Sequence, residues 1–153
     1  MKLYFLRHGK ADWPHWDRPD DERPLTDAGR KQMERVAQAL ARLDIVPDVI
    51  VSSPLPRAHQ TAQIAADALR LTVMVAPALA PGFGDDELRA VLRQHAGKAI
   101  MLVGHEPDFS NLIETLTGGV VVMPKAGIAR VDVTNGDALD GELRWLVTPK
   151  FLR

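Results

Sequence analysis

Two arginines and two histidines of this 153-residue chain stand just beyond short apolar runs. Arg7-His8-Gly9 follows Leu3-Tyr4-Phe5-Leu6, Ser52-Ser53-Pro54-Leu55-Pro56-Arg57 follows Asp48 to Val51, and Gly104-His105-Glu106 follows Ala99 to Val103. Runs that are apolar on consecutive residues read as buried parallel strands. Ligands of open α/β sheets bind outside the carboxyl ends of such strands, so all four side chains converge on one edge. The chemistry open to them is that of an anion. A guanidinium makes two charge-assisted hydrogen bonds to phosphate oxygens through its planar fork. A neutral imidazole can attack phosphorus through one ring nitrogen, and nearby guanidiniums disfavour its protonation. His8 is thus the candidate nucleophile. Arg7 and Arg57 would meet the charge on the transferring phosphoryl group, and His105 would donate to a phosphoryl oxygen as an imidazolium stabilised by the phosphate dianion. Arg57 also falls in the first turn of a predicted helix, where free N–H groups and the dipole favour an anion.

The elements that must position these residues alternate strand with helix, the pattern of a sheet covered on its faces. Leu3 to Leu6, Asp48 to Val51 and Ala99 to Val103 are the central strands, with Val73 to Val75 a weaker fourth. Thr26 can cap a helix whose apolar positions Met33, Val36, Ala37 and Leu40 recur at helical spacing, ending near Leu43. A second helix is predicted with Ser53 as cap and Pro54 in its first turn, its inward stripe being Thr61, Ile64, Ala65 and Ala68. Asp85 to His95 and Asp108 to Leu116 supply two more. Ile128 to Thr134 and Leu143 to Thr148 alternate around Asn135-Gly136 and Asp140-Gly141, as a hairpin or sheet-edge pair does. Gly9 to Pro24 is a long irregular connection holding Trp13 and Trp16; such segments are more often functional or disordered than neutral. Its indoles either cover the sheet edge or form a lid beside the strand-one end.

Composition narrows the classes of function. The length fits one domain, 1–153, able to bury a core without disulfides or metals. Net charge is −1, with 19 Lys and Arg against 20 Asp and Glu, so there is no basic excess of the kind that binds nucleic acid. No apolar run approaches the roughly 20 residues of a membrane helix, and Leu3 to Leu6 is too short for a signal-peptide core. Absence of cysteine excludes thiol chemistry and fits a cytoplasmic protein. No metal-binding motif appears, and neither a metal nor another cofactor is expected. Gly82-Phe83-Gly84 lacks the spacing of a nucleotide fingerprint and reads as a turn. His15, His59 and His95 have no evident partners and read as exposed or capping residues.

Arg7-His8-Gly9, Ser53-Pro54-Leu55-x-Arg57-Ala58-x-Gln60-Thr61-Ala62, Gly104-His105 and Pro24-Leu25-Thr26-x-x-Gly29 resemble the motifs of the histidine phosphatase superfamily, also called phosphoglycerate mutase-like. The resemblance runs from Lys2 to about Ser110. It implies a three-layer α/β/α sandwich with a mainly parallel central sheet, in agreement with the strands and helices above. It also implies that His8 is phosphorylated during turnover while Arg7, Arg57 and His105 form the phosphate pocket.

Within that superfamily, mutases and many metabolite phosphatases carry longer insertions and often have Glu after Arg-His-Gly. Here Lys10 takes that place, and Pro77 to Glu87 is too short for a cap domain. Both features resemble the short SixA-type phosphohistidine phosphatases, which act on phosphorylated histidine of partner proteins. A phosphorylated imidazole leaves as neutral imidazole once its other nitrogen is protonated, so it needs less acid assistance than an alkyl phosphate. Asp12, Asp85, Glu87 and Glu106 are the candidate acids, Glu106 first among them because it adjoins His105. The alternatives are a small-metabolite phosphomonoesterase or mutase of the same superfamily, and a module that binds phosphorylated partners without turnover.

Overall fold

The computed structural model describes residues 1–152. Its centre is a six-stranded sheet built from β1 (Lys2–Arg7), β2 (Val49–Ser52), β3 (Val73–Val75), β4 (Ile100–Gly104), β5 (Ile128–Asn135) and β6 (Asp140–Val147), in the order β3-β2-β4-β1-β5-β6. The first four strands are mutually parallel; β5 runs antiparallel to β1 and β6 antiparallel to β5. Pairing of Leu6 with Val103 and of Ser52 with Val103 brings the carboxyl ends of β1, β2 and β4 level. The three polar segments read from the sequence therefore emerge side by side.

Helices cover both faces. On one, α1 (Asp27–Arg42) and α2 (Pro56–Leu69) bury Met33, Val36, Leu40, Ala58, Ala62 and Ala65 against Tyr4, Leu6, Ile50, Met101 and Val103. On the other, α3 (Asp85–Gln94) and α4 (Asp108–Thr117) bury Leu88, Leu92, Phe109 and Ile113 against Leu3, Phe5, Val51 and Leu102. Alternate residues of one strand thus feed two cores, which is why the central strands show no polar face. The layers are those of the expected three-layer sandwich. β3 lies at the edge, with Met74 and Val75 exposed, and this accounts for its weak apolar signal.

Two boundaries differ from the sequence expectation. Ser53 does not cap α2: Leu55 does, its carbonyl accepting the Ala58 and His59 N–H groups at 3.0 and 2.9 Å. A residue before proline is driven out of the helical region. Leu55 precedes Pro56 and sits at φ −66°, ψ 138°, so the helix cannot begin until Pro56 takes the first position. Arg57 nonetheless remains in the first turn. β6 begins at Asp140 rather than Leu143, because this edge strand is defined by its ladder to β5 more than by burial.

Thr26 caps α1 as anticipated, its hydroxyl accepting the Gly29 N–H at 3.0 Å. The Gly9 to Pro24 connection is tied by its own aromatic side chains: the Trp13 indole donates to the Pro24 carbonyl at 2.8 Å and Trp16 to Pro19 at 3.1 Å. The two rings lie 6.2 Å apart. No helix among the described residues is long and apolar enough to cross a membrane.

Candidate active site

A cavity of about 280 Å³ opens at the carboxyl ends of β1 and β4, lined by Arg7, His8, Arg57, His105 and Glu106 together with Ala11, Asp12, Arg23, Pro81 and Lys125. All four residues proposed from sequence meet here. A larger hollow of about 550 Å³ beside α1 and the C-terminal segment includes Gln32, Arg35 and Leu152, and among the described residues no histidine, aspartate or glutamate lines it. Convergent polar groups, not volume, mark the first as the candidate site.

His8 is buried, and its backbone is held at the β4 end through its N–H bond to Gly104 O at 3.1 Å. Its Nδ1 lies 2.7 Å from the Gly9 carbonyl. A carbonyl only accepts, so Nδ1 carries the proton and the lone pair resides on Nε2. Burial, followed by the positive fields of Arg57, Arg7 and Arg23, pushes the imidazole down to about 4, despite the opposing bond to Gly9. His8 therefore presents an unprotonated nitrogen at neutral pH.

His105, whose ring centroid is 5.4 Å from that of His8, is pushed down to about 3 by burial, then by His8 and the two arginines. The unliganded pocket accordingly holds a neutral His105, with desolvation the dominant cause; the imidazolium expected from the residue types belongs to the pocket with a phosphate dianion bound. Its Nε2 is 2.7 Å from Ser53 Oγ, and its Nδ1 is buried without a partner. Ser53 thus serves the imidazole where a helix cap was expected.

The guanidiniums are anchored but not exhausted. Arg7 donates to Met123 O at 2.9 Å, and Arg57 to Asp20 O at 3.0 Å. The Nε atoms of both are buried without hydrogen-bond partners. Leaving buried donors unmade costs on the order of 1–3 kcal/mol each, a cost that an oxyanion in the cavity would relieve. Two further cations were not legible from the motifs. Arg23 comes from the long β1–α1 connection and donates to Ala11 O at 2.6 Å; Lys125 precedes β5 and pairs with Asp12. Their contribution depends on loop path, which single-sequence patterning does not resolve. The Asp20 carboxylate receives Arg23 Nε at 2.9 Å and Arg57 NH2 at 3.4 Å, so an exposed acid from the same connection spans two pocket cations.

Of the four candidate acids, Asp12 and Glu106 line the cavity, whereas Asp85 and Glu87 do not. Glu87 accepts the Gly84 N–H at the start of α3. Asp12 is lowered chiefly by its hydrogen bond with Lys125, which favours the carboxylate. Glu106 accepts the Ser110 N–H at 2.8 Å. The remaining motif residues build the scaffold: Thr61 accepts the Gly9 N–H and donates to Arg57 O, while the Gln60 carbonyl oxygen accepts the Leu25 N–H. His95 ends α3 as its C-cap, His15 is exposed and His59 is half-buried; none lines the cavity.

The sandwich, its mixed six-stranded sheet and a histidine-arginine pocket at the strand ends define the phosphoglycerate mutase-like fold. The chain belongs to the histidine phosphatase superfamily (branch 1), whose family model matches residues 3–87. An uncharacterized protein of Picosynechococcus sp. is 36% identical across 99% of both chains. A probable phosphoglycerate mutase GpmB of Yersinia pestis is 38% identical over 81 residues, covering 52% of this chain but only 37% of that protein. Among solved structures, the protein histidine phosphatase SixA complexed with tungstate superposes with a TM-score of 0.86 at 27% identity, over the full length of both chains. A putative phosphohistidine phosphatase SixA from Agrobacterium tumefaciens gives a TM-score of 0.82 at 25% identity, over 97% of each chain.

Proposed function

We propose that this protein is a phosphohistidine phosphatase that removes phosphate from histidine side chains of partner proteins through a phosphorylated His8. The observation that carries the reading is the His8 tautomer: Nδ1–H held by Gly9 O, with Nε2 unprotonated, in a cavity lined by Arg7, Arg57 and His105. The His8 Nε2 lone pair attacks phosphorus, and the bond from phosphorus to the substrate imidazole breaks with its electron pair returning to that ring. When the other substrate nitrogen is protonated, the leaving group is neutral imidazole. The phosphorylated His8 is in turn an imidazolium, because Nδ1 keeps its proton and donates it to Gly9 O. Water then attacks phosphorus, the P–Nε2 bond returns its pair to a neutral His8, and the water's protons stay with inorganic phosphate. Neither step demands a strong acid. Arg7, Arg57 and His105 supply the positive charge and donors that meet the equatorial oxygens.

The substrate class rests on leaving-group chemistry together with size. An alkyl phosphate sheds a basic alkoxide and gains more from a protonated acid; of the two carboxyls lining the cavity, Asp12 is held as a carboxylate by Lys125 and Glu106 is engaged by the Ser110 N–H. A cavity of about 280 Å³ accommodates a phosphoryl group and an imidazole tip. Full-length similarity to SixA, a protein histidine phosphatase complexed with the tetrahedral oxyanion tungstate, supports the same reading. The short Pro77–Glu87 stretch, without a cap insertion, leaves the mouth open to a folded partner. Among the described residues no group of three or more His, Asp or Glu side chains is placed to hold a metal ion, and we propose a metal-independent reaction.

The deciding experiment compares turnover, with chelator present, of a histidine-phosphorylated protein against sugar, nucleotide and glycerate phosphates. Preference for the phosphohistidine protein is expected. Preference for one small metabolite would instead select the phosphomonoesterase or mutase reading that the partial match to GpmB favours. Binding without turnover would select the recognition module. His8→Ala is expected to lose at least ~10³-fold in rate; a wild-type rate would remove His8 as nucleophile.

A further inference from the structure

Ser53 directly follows β2, fully buried, and its place is set by the sheet: its N–H donates to Val103 O at 2.9 Å, one residue before Gly104 ends β4 and His105 follows. Its hydroxyl oxygen accepts the Leu55 N–H at 3.2 Å and lies 2.7 Å from His105 Nε2. The Leu55 contact exists because α2 starts late, with Leu55 turned out of the helix by Pro56.

These contacts allow two arrangements of the protons. If His105 carried its proton on Nε2, Ser53 Oγ would accept from both Leu55 and His105, and its own hydroxyl hydrogen would be buried with no acceptor. The lone pair of His105 Nδ1, which has no partner, would then be the group offered to a phosphoryl oxygen, which repels it. If instead the Ser53 hydroxyl donates to Nε2, its hydrogen is satisfied, one lone pair accepts the Leu55 N–H, and Nδ1 bears the proton. The second arrangement leaves no unmet hydroxyl and turns the unpartnered nitrogen into a donor.

We infer that Ser53 is a positioning residue that fixes His105 in the Nδ1–H tautomer, so that a neutral histidine can donate a hydrogen bond to the transferring phosphoryl group. The inference rests on the phosphatase reading for its kinetic consequence, but the tautomer itself does not. Both histidines then carry their proton on Nδ1 for opposite purposes. In His8 the Nδ1–H is donated to the Gly9 carbonyl so that Nε2 can attack; in His105 it is the working donor, and Nε2 is occupied by Ser53. Before an anion arrives, burial and the neighbouring cations keep the ring neutral, so its tautomer decides whether it offers a donor or a lone pair.

Long-range ¹H–¹⁵N correlation spectra of the ¹⁵N-labelled full chain at neutral pH read the tautomer directly. Wild-type His105 is expected to show a protonated Nδ1 and an unprotonated Nε2. An Nε2–H pattern in the wild type overturns the inference, without recourse to any variant. Ser53→Ala is expected to move His105 toward Nε2–H and to lower single-turnover phosphorylation by an aryl phosphate on the order of 10-fold, while Ser53→Thr, which keeps the hydroxyl, retains the Nδ1–H pattern and most of the rate. An unchanged tautomer and rate in Ser53→Ala would also overturn it. If His8→Ala keeps the wild-type rate while the Nδ1–H pattern is present, the reading of a phosphorylated His8 fails and the assignment of Ser53 to the His105 tautomer stands.

Discussion

At the scale of the residue, the controlling fact is that two imidazoles are buried next to guanidiniums. Protonating either places a new charge in a poorly solvated site beside existing positive charge, so both remain neutral far below the ordinary histidine range. NMR titration of the ring protons should show His8 staying neutral until about pH 4 and His105 until about pH 3. A midpoint near 6.5 for either would mean that its ring is better solvated than its burial indicates. Arg57→Ala is expected to lower turnover on the order of 10²-fold, by analogy with loss of one preorganised donor to developing charge. Asp20 has the opposite role. Its carboxylate spans Arg23 and Arg57 in the free site and competes with an incoming anion. Because it is exposed, the competition is weak, worth about 0.2–1 kcal/mol, so Asp20→Asn should tighten inorganic phosphate by a factor of about 1.4 to 5 by calorimetry. Weaker binding would show that Asp20 organises the arginines instead.

At the scale of the element, catalytic geometry depends on how tightly the β1–α1 connection is clamped to the start of α1. Thr26 N–H donates to Lys10 O at 2.9 Å, and Gly29 passes that same carbonyl so closely that an added Cβ would lie 2.2 Å from its oxygen. No side-chain rotation relieves a backbone clash. Gly29→Ala must therefore push Lys10, and with it Gly9 O, away from α1. The expected cost is about 1–3 kcal/mol, visible as a lower Tm, together with reduced turnover because Gly9 O orients His8. An unchanged Tm would show that α1 can shift without loss. The same scale explains the misplaced cap: Ser53, followed by Pro54, has the pattern of a helix start, yet Pro56 restricts Leu55 and delays the helix. The released serine becomes available to His105.

At the scale of the molecule, the pocket is a burden on stability that depends on pH. An unfolded chain protonates its histidines near 6.5, whereas the folded chain resists until about 4 at His8 and about 3 at His105. Between these limits the unfolded state binds more protons, so stability is full above about pH 6.5 and falls as pH drops toward 4 and then 3. Urea unfolding from pH 7.5 to 4.5 should show a declining midpoint, and the His105→Gln variant should decline less steeply. Equal slopes would place the acid sensitivity elsewhere. Phosphate should raise the midpoint at neutral pH by mass action, since the pocket exists only in the folded state.

Much of this protein was legible in the order of its residues. Consecutive apolar runs identified the strands because a parallel sheet sandwiched between helices buries both faces, and the polar residues after those runs named His8, Arg7, Arg57 and His105. Helical spacing placed α1, α3 and α4 nearly to the residue. What the chain order could not express is proximity across it. Arg23 and Lys125 enter the cavity from loops, Asp20 reaches Arg57 across 37 residues, and Ser53 meets His105 across 52. The protonation states belong to the same class, since they follow from desolvation and from which carbonyl or hydroxyl each ring nitrogen meets. Local pattern determines which groups arrive at the sheet edge; only packing decides how dry that edge is and which partner each ring nitrogen meets.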